Sequence, residues 1–139
     1  MKSVKTTKTG KNFTAVSVGK LSEVKDYLLQ LGEMQILGKV FVGQALGTTG
    51  GELSFQTFAP GQDGGFLHTH KNHEELYFIL RGEGLYQVDG ENIPVGEGSI
   101  IRVAPEASAP SRIPVRKRCL CSACSIRATR SRQRMPQTV

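Results

Sequence analysis

The sequence has no tryptophan, three histidines and three cysteines among its 139 residues. No apolar run approaches the roughly 20 residues that a bilayer-spanning helix needs, so no membrane association is expected. The opening MKSVKTTKTGKNF lacks the apolar core of a secretory signal. A cytoplasmic location is the resulting expectation, and three cysteines there do not read as a disulfide framework. A hydrophobic share of 38% and a charged share of 22% exclude a wholly disordered chain. At this length a single domain can bury a core without disulfides or structural metal.

The absences are unevenly placed. No glycine follows Gly98, no aromatic residue follows Tyr86, and no cysteine precedes Cys119. Charge divides the same way. The formal net charge of +6 suggests an anionic partner when read as one number. Residues 1–105, however, hold ten Lys and Arg against eleven Asp and Glu, whereas residues 106–139 hold eight basic residues against Glu106 alone. The expected organisation is a loose N-terminal arm over residues 1–12, a folded unit over 13–105, and an atypical basic segment over 106–139. Arginine spacing in that last segment is irregular and no aromatic is interleaved, so nucleic acid is not the expected partner.

What is present between the termini is mostly short, extended and punctuated by glycine. FTAVSV reads as a strand, and LSEVKDYLLQLG as a short helix with Ser22 as its cap and Gly32 as its stop. ILGKVFVGQAL, ELSFQTFA, GFLHTHK, ELYFIL, GLYQVD, ENIPV and SIIRVAP read as strands rich in Val, Ile, Phe and Tyr. Asp89-Gly90 marks a tight hairpin, because such turns need positive φ. Many short strands at this spacing predict an all-β sandwich, jelly roll or barrel.

All three histidines lie within six positions, at His68, His70 and His73, and Glu74 and Glu75 follow at once. On a strand, His68 and His70 share a face. A short hairpin could bring the Glu75 carboxylate to the same point. Two imidazoles and one carboxylate suit Fe(II), Mn or Zn and leave coordination positions open. The alternative is an exposed polar turn, HKNHEE, with no ligand.

The segment PGQDGGFLHTHKNHEELYFILRGEG resembles the first motif of the cupin superfamily, a glycine followed by HxH, a spacer, Glu, six residues and Gly. His68, His70, Glu75 and Gly82 fall on that pattern, and the resemblance covers roughly residues 37–105. It implies a cupin jelly-roll barrel (a double-stranded β-helix), here with a short N-terminal helix. It also implies a divalent metal (Fe, Mn, Zn or Ni) held by His68, His70 and Glu75, a small-molecule ligand and a homodimer. Glu74 and His73 are the reserve ligands, His73 being read as a solvated turn residue. If the protein is an enzyme, the resemblance implies dioxygenase, isomerase or decarboxylase chemistry; the alternative is a non-catalytic binding or sensing barrel.

The resemblance fails after Pro105. No histidine follows to supply the fourth ligand of the second cupin motif, and the segment lacks the alternation expected of closing strands. Three readings compete for it: a basic arm for nucleic acid or anionic lipid, a thiolate site at Cys119, Cys121 and Cys124, and translation out of frame over residues 107–134. Joining the last base of each codon to the first two of the next permits R-T-I-A-N-T-G-T-E-A-L-S from Ser108 onward. That product resembles the closing strands of small cupins, and this reading ranks above the basic arm.

Overall fold

A computed structural model describes residues 2–60, 73–106 and 119–127. In chain order these form β1 (Lys5–Gly10), β2 (Phe13–Ser17), a 3-10 turn (Leu21–Asp26), β3 (Leu28–Leu31), β4 (Met34–Leu37), β5 (Lys39–Phe41) and a one-turn helix α1 (Gly43–Leu46). They continue with β6 (Gly51–Phe58), β7 (His73–Arg81), β8 (Glu83–Val88), β9 (Glu91–Gly96), β10 (Ile100–Val103) and β11 (Cys119–Arg127). The expected all-β class is the observed one. Among the described residues no helix is long and apolar enough to cross a membrane.

One antiparallel sheet of five strands, in the order β10-β7-β11-β6-β5, organises the molecule. Three hairpins, β1–β2, β3–β4 and β8–β9, accompany it. The β8–β9 hairpin packs over one face of the large sheet. Its Tyr86 and Val95 join Phe58, Ile79, Cys119 and Cys121 in one buried cluster, flanked by Tyr77, Val88, Ile93, Ile101 and Val103. Burying side chains such as Ile79 contributes about 1.5–3 kcal/mol each. The hairpin turns at Asp89 and Gly90 as expected, with φ of 50° and 75°. The two positive values let the turn follow the twist of its strands.

Three local expectations change. The helix expected over LSEVKDYLLQLG is only a 3-10 turn, because Tyr27 is already extended and Leu28–Leu31 pairs with Met34–Leu37. Gly32, read as a helix stop, is instead a hairpin turn residue at φ 61°. The LLQL–MQIL pairing outcompetes a helix whose apolar spacing was only approximate. The arm expected over residues 1–12 contains a strand, β1, paired with β2 and exposed along its length. Backbone pairing leaves no hydrophobic signature in such a segment. The third change concerns the basic C-terminal segment, where Cys119–Arg127 fills the gap between β6 and β7. A strand flanked on both sides and covered on both faces need not alternate. Here Cys119, Leu120, Cys121 and Ser122 are all buried, with cysteine acting as a small apolar residue. The strand expected at GFLHTHK, with His68 and His70, lies outside the described residues, as does most of the segment read as out of frame.

Candidate metal and ligand site

Strand alternation sorts the acids that follow the histidines. Ile79 belongs to the buried cluster, so Tyr77 and Glu75, two and four residues before it on β7, share its inward face. The Tyr77 hydroxyl donates a hydrogen bond to Glu75 Oε2, which fixes the carboxylate on that face. Behind it, the Tyr86 ring stands 5.2 Å from the Tyr77 ring, tilted by 50°. The two tyrosines are also joined by a side-chain hydrogen bond. Burial first, then Tyr86 and Glu75, raise the Tyr77 pKa, so its hydroxyl stays protonated and remains a donor.

Glu74 has the opposite orientation. Its Oε2 accepts a hydrogen bond from Arg102 Nε at 2.8 Å on the outer side of the β7–β10 pair. That pairing explains why the shorter spacing from His70 to Glu74 does not make it the inward acid. His73 is not in a turn: it opens β7, opposite Arg127, at the same strand parity as Glu75. The loop expected to carry it ends one residue earlier.

Sequence reasoning did not single out Lys39 or Gln56. On the inner face, Lys39 stands opposite Gln56, Gln56 opposite Cys121, and Cys121 opposite Ile79. Lysine in a three-residue edge strand gives no sequence signal, because its orientation depends on pairing. The Cys121 thiol, read as one of a possible thiolate set, is pushed up to about 12 by burial and the neighbouring Cys119. It is therefore neutral at physiological pH and poorly suited to nucleophilic or metal chemistry. Among the described residues, no group of three or more His, Cys, Asp or Glu converges on a point. A separate open cleft of about 770 Å³ lies between the β1–β2 turn and the α1–β6 loop, with Lys11, Thr48, Glu52 and Cys124 in its lining.

Glu75 fits the carboxylate role in a divalent-metal set: it faces inward, is held by a neutral donor, and has one oxygen beyond that bond. Glu74, engaged with Arg102 outside, does not.

An all-β sandwich with an inward acid at the start of its central hairpin strand is the arrangement of a cupin barrel. Residues 54–108 match the profile of the cupin domain. A cupin protein from Bacteroides fragilis superposes with a TM-score of 0.59 at 28% identity, covering 76% of this chain and 89% of that one. The chain belongs to the cupin superfamily. Over 40 residues it is 42% identical to an uncharacterised protein of Methanocaldococcus jannaschii, covering 29% of this chain and 32% of that one. Over 41 residues it is 39% identical to the oxalate-binding protein of Thermotoga maritima, covering 30% and 33%. The chain thus spans about a third of the length of the curated relatives it matches.

Proposed function

We propose that this cupin binds a small molecule at a divalent metal held by His68, His70 and Glu75. The observation that carries the reading is the inward Glu75, oriented by Tyr77, seven residues after His68 and five after His70. When bound, the metal would act as a Lewis acid toward a ligand oxygen. Glu75 would contribute charge and one donor oxygen, and Tyr77 would hold its orientation. The buried cluster around Tyr86 and Ile79 would limit water on that side. Imidazole ligands must be neutral, so occupancy falls as pH drops through the histidine range.

Elemental analysis of freshly purified protein tests the assignment. Wild type should carry a stoichiometric divalent metal, and His68→Ala, His70→Ala and Glu75→Gln should each lose most of it. Equal metal in wild type and variants would overturn it. The absence of a histidine after Pro105 favours a second reading, a binding or sensing barrel without turnover. We also propose a cytoplasmic homodimer; exposed Leu31, Met34 and Leu37 on β3–β4 offer apolar surface to a second copy.

A further inference from the structure

The row from β5 to β7 places a cation inside the barrel. Residues directly opposite in antiparallel strands project to the same face. Lys39 therefore shares the face of Gln56, Cys121 and Ile79, and with them that of Tyr77 and Glu75. Its Nζ lies 5.1 Å from the centroid of the Phe41 ring, two residues along the same face. Burial holds the ammonium pKa below its ordinary value, while Cys121 and the Glu75 carboxylate act in the other direction. Lys39 is thus close enough to Glu75 to feel its charge. The ion pairs among the described residues are Lys2 with Glu23 and Arg102 with Glu74, and neither involves Lys39.

A partly desolvated ammonium costs free energy unless an anion compensates it. Contact with Phe41 explains the placement of the lysine stem and a modest cation–π gain. It does not neutralise the charge. Glu75 is the acid acting on it, and a divalent cation bound there would take up that carboxylate's charge. The interior would then hold excess positive charge, which a neutral polyol would leave unmatched. A single ammonium, with no second basic side chain seen beside it among the described residues, matches a carboxylate better than a phosphate dianion.

We infer that Lys39 is the anion-binding group of the barrel interior and that the ligand is a small organic acid whose carboxylate pairs with the Lys39 ammonium. The inference rests on the proposed metal reading for its charge balance, and the test separates the two.

Titration calorimetry on the full chain, as purified and after metal loading, would use malonate, inorganic phosphate and glycerol as probes. Wild type should bind malonate more tightly than phosphate, with no measurable heat from glycerol. Lys39→Met should weaken malonate at least tenfold, Lys39→Arg should retain most of the affinity, and metal content and thermal midpoint should match wild type in both. Unchanged malonate affinity in Lys39→Met, no malonate binding to wild type, or preference for phosphate or glycerol would overturn the inference. If wild type holds no metal, the metal reading fails by itself. Lysine-dependent malonate binding to the metal-free protein would still uphold the role of Lys39, and its absence would reject it.

Discussion

Two adjacent glutamates on one strand differ in chemistry because the strand alternates. Glu74 reaches out to Arg102 at 2.8 Å, whereas Glu75 turns in and accepts from Tyr77. An exposed ion pair contributes about 0–1 kcal/mol. Glu74→Gln should therefore leave metal content unchanged and shift the urea midpoint only slightly. A loss of metal equal to that of Glu75→Gln would show that the strand parity is misread. Tyr77→Phe removes the donor that orients the carboxylate. Outer hydrogen bonds of this kind change metal affinity by about 10–100-fold, so competition with a chelator should show at least a tenfold weaker site. The protonated state of Tyr77 is maintained because burial raises its pKa, so the effect should be flat across neutral and mildly alkaline pH. Glu75, rather than Glu74, was legible in the sequence from parity and from the six residues to Gly82. Lys39 was not, because no pattern in the sequence reveals which strand lies opposite it.

Among the elements, hairpins that announce themselves by turn chemistry were read correctly and elements held by pairing alone were not. Asp89-Gly90 is a local signal and β8–β9 followed from it, while β1 and β3–β4 depend on partners that composition does not name. The junction between β4 and β5 shows how tightly such pairing constrains one residue. Gly38 has φ 82°, and its N–H donates to the Tyr27 carbonyl at 2.6 Å. A Cβ there would lie 2.9 Å from Thr57 Cγ2 and 3.2 Å from the Thr57 carbonyl oxygen. Gly32 has φ 61° but no atom within 4 Å of its Cβ position. Left-handed backbone costs a non-glycine residue about 1–2 kcal/mol, and overpacking adds about 1–3 kcal/mol. Urea unfolding should show Gly38→Ala losing about 3 kcal/mol and Gly32→Ala about 1 kcal/mol. Equal losses would mean that the approach of Thr57 is not a real constraint.

At the scale of the whole molecule, the feature that made the sequence look like two proteins joined near Glu106 becomes a question about closure. β11 lies between β6 and β7, so the large sheet is continuous only with it. Its inner-face residues Cys119 and Cys121 meet Phe58, Ile79 and Tyr86 in the core. The segment was read as unable to close the barrel because it lacks Val, Ile and alternation; small cysteines, serine and alanine close it where both faces are covered. Two measurements follow from that position. With Ellman's reagent at pH 8, Cys119 and Cys121 should react only at the rate of unfolding, since both are buried and the Cys121 pKa is pushed up to about 12. Thiolate forms as pH rises toward the pKa, so the protection should weaken only under strongly alkaline conditions. Three thiols reacting alike and fast in the native protein would place the segment outside the sheet. Truncation after Glu106 is the stronger test. It would leave β6 and β7 as unpaired edges and open the inner face to water, so the shortened chain should lose cooperative unfolding and aggregate. A dispensable basic arm would instead leave a monodisperse protein with an unchanged thermal midpoint. The out-of-frame reading predicts a third result, readable in protein from the natural gene: tryptic peptides should then carry the alternative residues after Ala107, whereas the peptide containing CLCSACSIR would establish that the strand is built from the sequence as it stands.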